Sequence, residues 1–238
     1  MANLPWEKIE AVISNAAIRT CLLTGPPGTG KTTAAHNLAA KNGQAVFSVT
    51  FSEDMSAQEL IGHWIQGENG FKWNDGPAIS AWKNGGMLIL NEIDKASGST
   101  LVELYSILDD ATVAGKTLSS GETVKPSPKF RVVATMNGDA ADLPAALLDR
   151  FQVKIVVDMP HPQALARIEN ESLRQAVANA YESADGWQGL SFRDAMAFMA
   201  LLNAGFDVAT AALAAVGPQK AEVFERIMDI GARELPGK

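Results

Sequence analysis

A chain of 238 residues, 47% hydrophobic and 20% charged, holds enough apolar material for a sizeable core and too little charge bias to stay unfolded. Its formal net charge of −7 argues against a broad nucleic-acid footprint, and a single cysteine, Cys21, excludes an internal disulfide. No apolar run approaches the roughly 20 residues that span a bilayer, and no basic-then-apolar leader opens the chain, so a cytoplasmic protein without membrane insertion is expected.

In chain order, the pattern predicts a helix over Pro5–Ala17, a short apolar strand over Thr20–Thr24, and a helix over Lys31–Asn42 stopped by Gly43. A strand at Ala45–Val49 follows, then helices at Ser56–Gly62 and Pro77–Asn84. Next come an apolar strand at Met87–Leu90, a helix at Ser99–Asp109, and strands at Phe130–Thr135 and Val153–Val157. Short apolar runs alternating with helical patterns imply an α/β fold, a five-stranded parallel sheet covered by helices on both faces. After Pro160 the strand signal ends. Helices are expected over Pro162–Ala184, Ser191–Ala204, Asp207–Val216 and Pro218–Arg233, with Ser191 and Asp207 as N-caps and Pro218 in a first turn. The chain thus divides into an α/β core over residues 1–158 and a small all-α domain over 159–238.

The strongest motif is Gly25-Pro26-Pro27-Gly28-Thr29-Gly30-Lys31-Thr32, a full G-x-x-x-x-G-K-T match that follows a predicted strand and opens a predicted helix. Glycines let such a loop wrap with its N–H groups pointing inward, and the helix dipole adds positive potential, so a phosphate chain is its natural ligand. Lys31 supplies a compact cation for the outer phosphates. Thr32, followed by Thr33, offers a hydroxyl to Mg²⁺, which keeps several waters and favours phosphate oxygens.

Met87–Leu90 ends in Asn91 and Glu92, and the carboxyl ends of parallel strands line the ligand crevice. There Glu92 can polarise an attacking water, although a solvated strand-end carboxylate is the plainer alternative. Asn137, just past Phe130–Thr135, can orient the same water. Arg150 reads either as an ordinary surface cation or as a guanidinium presented to a neighbouring subunit's γ-phosphate.

Taken together, Gly-Pro-Pro-Gly-Thr-Gly-Lys-Thr, Leu-Asn-Glu-Ile-Asp-Lys-Ala, Ala-Thr-Met-Asn and Ala-Leu-Leu-Asp-Arg-Phe, in this order, resemble an AAA+ P-loop ATPase. More narrowly, the chain resembles the MoxR and dynein-related branch, with its CbbQ-like and cobaltochelatase-subunit-like members. That resemblance implies Walker A at Lys31 and Thr32, Walker B at Glu92, sensor 1 at Asn137, an arginine finger at Arg150, and sensor 2 at Arg193 within Ser191-Phe192-Arg193. It also implies ATP and Mg²⁺ as cofactors, a hexameric ring with a helical lid, and a protein partner to be remodelled or activated, in this branch often a von Willebrand factor A-type protein. Leu60 to Gly86 is similar to the branch's insert in the second helix, and Ala111–Ser127 to its hairpin before the sensor strand. One position departs: Asn91 stands where the family usually carries the Walker B aspartate. It remains able to reach Mg²⁺ through water but brings no charge.

Phe71 and Trp73, flanking Lys72, admit two readings: a grip on a partner in a pore, or a small hairpin packing on its own domain. Phe198, Leu201, Leu202, Met196 and Met199 are expected as lid core. His36, His63 and His161 have no zinc-ligand spacing. Competing functions are a nucleotide-dependent assembly module with weak hydrolysis, motivated by Asn91, and a motor subunit of a nucleic-acid-associated system, which the acidic balance disfavours.

Overall fold

The computed structural model describes residues 4–68, 70–182 and 191–234. The chain separates into two compact units, one of Met1–Gly25 with Lys31–Val156, the other of Pro26–Gly30 with Val157–Lys238.

The first unit runs α1 (Trp6–Ser14), β1 (Thr20–Thr24), α2 (Lys31–Lys41), β2 (Val46–Thr50), α3 (Ala57–Ile61), β3 (Gly62–Gly67), β4 (Gly70–Asp75) and α4 (Pro77–Asn84). It continues with β5 (Met87–Asn91), α5 (Gly98–Ile107), β6 (Lys116–Thr117), β7 (Thr123–Val124), β8 (Arg131–Thr135), α6 (Ala145–Leu148) and β9 (Val153–Val156). Five strands form one parallel sheet in the order β2-β5-β8-β1-β9. Apolar sequence dictates this arrangement: Cys21, Leu22, Leu23 and Met87–Leu90 are buried, as central strands covered on both faces must be. Trp82 of α4 packs edge-on against Phe130 with ring centroids 6.2 Å apart, in a cluster with Phe51, Leu88, Leu90 and Phe151.

This strand order positions the site. With β5, β8 and β1 adjacent, the loops leaving their carboxyl ends emerge side by side, carrying Asn91–Glu92, Asn137 and Gly25. The register sets Asn91 opposite Thr135 on one side and Thr50 on the other.

Two expectations changed in detail. The helix expected over Ser56–Gly62 stops at Ile61, because Gly62 (φ 132°) turns the chain into an antiparallel β3–β4 ribbon. Trp64 and Trp73 face each other across it, edge to face at 5.8 Å. The two readings of its aromatics also divide: Trp73 packs against the core cluster, whereas Phe71 is 78% exposed.

The second unit carries α7 (Pro162–Leu165), α8 (Glu171–Glu182), α9 (Phe192–Asn203), α10 (Val208–Val216) and α11 (Pro218–Glu234). The helix expected over Pro162–Ala184 is interrupted, and its expected end at Ala184 lies outside the described residues. Ile168 is drawn fully into the helical core, and Asn170 restarts the helix by accepting from the Leu173 N–H at 2.9 Å. Ser191 and Asp207 cap α9 and α10 through their side chains. Phe198 and Phe224, both fully buried, meet at 4.8 Å between ring centroids, with Leu173, Val177 and Ala211 around them. Among the described residues no helix is long and apolar enough to cross a membrane.

Candidate functional site

The loop between β1 and α2 is built on glycines because it must reverse direction tightly. Gly25, Gly28 and Gly30 have φ of 125°, 80° and 98°, which side-chain-bearing residues rarely adopt. At its end Lys31 is 7% exposed. Its Nζ donates to the Gly25 carbonyl at 2.9 Å and to Asn137 Oδ1 at 3.3 Å. Burial takes the ammonium out of water and pulls its pKa down to about 8.

Thr32, exposed on the first turn of α2, donates from Oγ1 to Asn91 Oδ1 at 2.8 Å. Thr135 Oγ1 donates to the same oxygen at 3.3 Å. On the other side of the amide, Asn91 Nδ2 donates to Ser48 Oγ at 3.1 Å and to the Val49 carbonyl at 3.4 Å. Both lone pairs and both N–H groups of Asn91 are therefore engaged.

Glu92 is the one non-glycine with positive φ among the described residues, at φ 54° and ψ 47°. The chain leaves β5 there and winds into a 3₁₀ turn over Ile93–Lys95. Within that turn the Glu92 carboxylate pairs with Lys95, and the bond and charge together raise the Lys95 pKa. Strained backbone of this kind persists where surrounding structure over-determines it, and it gathers at active sites.

The structure thus pairs Lys31 with Asn137 and, one residue on, Thr32 with Asn91 at the strand ends, and Glu92 follows Asn91 in the chain. Thr33 is exposed on α2. Arg150 takes no part in either pair. Its Nε donates to the Tyr105 carbonyl at 3.0 Å and its Nη1 to the Ala146 carbonyl at 2.8 Å, and its guanidinium lies 5.1 Å from the Tyr105 ring centroid.

Arg193 belongs to the helical unit, exposed in the first turn of α9. In the same unit Thr29 is fully buried and donates from Oγ1 to the Pro26 carbonyl at 3.2 Å, while its own carbonyl accepts from the His161 N–H at 3.3 Å. Tyr181 Oη donates to the Pro27 carbonyl at 2.9 Å and accepts from the Phe192 N–H at 3.3 Å. Gly28 answers to this tyrosine as well as to its own φ, for a Cβ there would stand 2.9 Å from Tyr181 Oη. Burial raises the Tyr181 pKa, keeping the hydroxyl protonated and able to donate.

Sequence reasoning missed Ser48, Thr135 and Tyr181. Thr135 becomes visible only once β8 is known to lie beside β5, and nothing in the local pattern links Tyr181 to a loop 154 residues earlier.

The donor set fits a magnesium–nucleotide. Lys31 brings a buried ammonium, bonded to the Gly25 carbonyl and the Asn137 amide, to the start of α2, where the helix dipole also favours an anion. Because Thr32 spends its proton on Asn91, its oxygen lone pairs are available to a cation. Among the described residues no group of three or more His, Cys, Asp or Glu could hold a metal.

The sequence matches the AAA domain of the dynein-related subfamily over residues 20–151. It is 29% identical to protein CbbQ of Hydrogenophilus thermoluteolus over 166 residues, covering 68% of this chain and 61% of that protein. It is 31% identical to the denitrification regulatory protein NirQ of Pseudomonas aeruginosa over 150 residues, 62% of this chain and 57% of NirQ. With protein NorQ of Paracoccus denitrificans it shares 30% over 144 residues, 59% and 53% of the respective lengths. The matched stretch therefore spans little more than half of these relatives. Among solved structures, a putative ATPase from Cytophaga hutchinsonii is similar at a TM-score of 0.53 and 21% identity, covering 70% of this chain and 50% of that one. NtrX from Brucella abortus is similar at a TM-score of 0.54 and 18% identity, covering 98% and 50%. At such identities these structures speak for the fold.

Proposed function

The chain belongs to the dynein-related subfamily of AAA domains, and on that premise we propose that it binds ATP with Mg²⁺ and hydrolyses it to remodel or activate a protein partner. The observation that carries this reading is the arrangement at the strand ends: Lys31 held by Gly25 and Asn137, beside Thr32 held by Asn91.

In this reading the inward N–H groups of residues 25–31 and the Lys31 ammonium grip the β- and γ-phosphates. Thr32 would hold Mg²⁺ through its hydroxyl and Asn91 through a water, and the ion would supply charge neutralisation at the phosphate oxygens. Glu92 accepts a proton from a water whose oxygen bonds to the γ-phosphorus as the bond to the β–γ bridging oxygen breaks. Asn137, fixed by its contact with Lys31, orients that water. Arg150 acts across a ring of like subunits, hexameric by resemblance. The carbonyls of Tyr105 and Ala146 support this role by holding its guanidinium in one orientation. Arg193 serves as the nucleotide sensor of the helical unit. The partner is a protein, and the regulatory role in the name of NirQ agrees with an activator.

A second reading keeps the binding and drops most of the turnover, since Asn91 is neutral and Glu92 is paired with Lys95. Steady-state phosphate release separates the two when the unaltered protein is run beside Glu92→Gln and Lys31→Ala. A motor loses about 100-fold or more with Glu92→Gln, the scale of a positioned general base. Equal, near-zero rates for all three would refute hydrolysis and leave the assembly module.

A further inference from the structure

We infer that Ser48, on the exposed edge strand β2, is a positioning residue for divalent-cation binding, acting through the amide of Asn91 on the hydroxyl of Thr32. The inference rests on the magnesium–nucleotide reading above.

The Asn91 side chain has four partners, and three of them, Thr32 Oγ1, Thr135 Oγ1 and Ser48 Oγ, are hydroxyls that can either donate or accept. The fourth, the Val49 carbonyl at 3.4 Å, only accepts. It therefore fixes which end of the amide faces β2: Nδ2 lies toward Ser48 and Val49, and Oδ1 toward Thr32. The Val49 contact is long. Ser48 Oγ, at 3.1 Å, is the closer anchor of the pair.

The orientation has a consequence at Thr32. With Oδ1 facing it, the Thr32 hydroxyl donates its proton inward and keeps its lone pairs for a cation. A flipped amide would aim an N–H at the same oxygen, consuming a lone pair and placing a partial positive charge where the cation belongs. Val49 thus sets which way the amide faces, and Ser48, its closer contact, holds the amide in place so that Oδ1 stays within reach of the Thr32 hydroxyl, without touching nucleotide or metal.

The same surroundings explain why an amide occupies the position. A carboxylate at residue 91 would set an oxygen against the Val49 carbonyl, acceptor against acceptor, relieved only if the Ser48 hydroxyl turned to donate. Asn91 is fitted to Ser48 and Val49 as an amide rather than being a weakened aspartate.

The test is isothermal titration of the full chain with a slowly hydrolysed ATP analogue, once in EDTA and then over a series of Mg²⁺ concentrations. The proteins compared are the unaltered chain, Ser48→Ala and Ser48→Thr. Ser48 is exposed on an edge strand, so alanine there leaves the fold intact, which circular dichroism verifies. Ser48→Ala is expected to raise the half-saturating Mg²⁺ concentration about 3–10-fold, below the ~10–100-fold typical of a residue that contacts a metal ligand directly. Affinity in EDTA should stay unchanged, and Ser48→Thr, which keeps the hydroxyl, should restore the Mg²⁺ response. A half-saturating concentration within twofold of the unaltered chain overturns the inference. So does an equal loss of affinity with and without Mg²⁺, which marks a general structural role. If the unaltered chain binds no nucleotide under either condition, the nucleotide reading itself fails and the inference with it.

Discussion

Glycine at residue 92 should give a more stable protein than alanine there, while both substitutions cut turnover, and the comparison isolates the cause. Both substitutions remove the carboxylate and its pairing with Lys95, so those losses cancel in the difference. What remains is the backbone at φ 54°, ψ 47°. A side-chain-bearing residue in that left-handed region costs roughly 1–2 kcal/mol. Glycine escapes the clash but gives up about 0.5–1 kcal/mol more backbone entropy on folding. The balance favours glycine by about 1 kcal/mol, or roughly 2–4 °C in Tm for a chain of this size. At an unstrained position the order would be reversed, so the sign alone decides. Differential scanning calorimetry of Glu92→Gly and Glu92→Ala provides the measurement, alongside phosphate release, which should fall about 100-fold or more in both. A glycine variant melting at or below the alanine variant would refute the claim that residue 92 stores strain. Intact turnover in either would refute the claim that the strain serves to aim a carboxylate.

Lys31, with its pKa near 8, should make ATP affinity full below that pH and lower by up to about tenfold per unit above it, because only the ammonium attracts phosphate. Titration calorimetry across that range should show the decline, and Lys31→Arg, charged throughout, should lose its pH dependence; a flat profile for the unaltered chain refutes the reading. The same burial acts on folding with the opposite sign. The pKa is lowered from 10.5, so between about 8 and 10.5 the unfolded chain holds the extra proton, and this lysine's contribution to stability rises with pH. Tyr181→Phe should leave the Phe192 N–H and the Pro27 carbonyl without the hydroxyl that joins them, at a cost of about 1–3 kcal/mol. Hydrogen exchange at the Phe192 amide reads this directly, and unchanged protection would contradict it.

The sheet and the phosphate loop were legible because each rests on a local requirement. Strands covered on both faces have to be apolar throughout, and a loop with three positive φ values needs three glycines. The restart of the helix at Asn170 also had a local signal, an N-cap asparagine before Glu171, but the helical periodicity on either side masked it. Tyr181 and Ser48 had none, since their partners come from distant segments brought together only by the finished fold.

The β3–β4 ribbon shows a different limit. Register pairs Trp64 with Trp73 and Gln66 with Phe71, so the period-two rule places both aromatics of β4 on the same face. Pattern alone therefore assigns them one fate. They part because Trp73 lies near the root of the ribbon, where α3 and α4 reach it and Asp75 accepts from its Nε1 at 2.9 Å, whereas Phe71 lies toward the turn. Lys83 secures that root from α4, bonding Asp75 and also Glu122, two residues before β7 ends, each at 2.7 Å. Distance from the core decides exposure here, and a residue alphabet with alternating faces does not encode it. The result is an anchored base carrying an apolar tip, a geometry that holds Phe71 in water at the cost of its hydration.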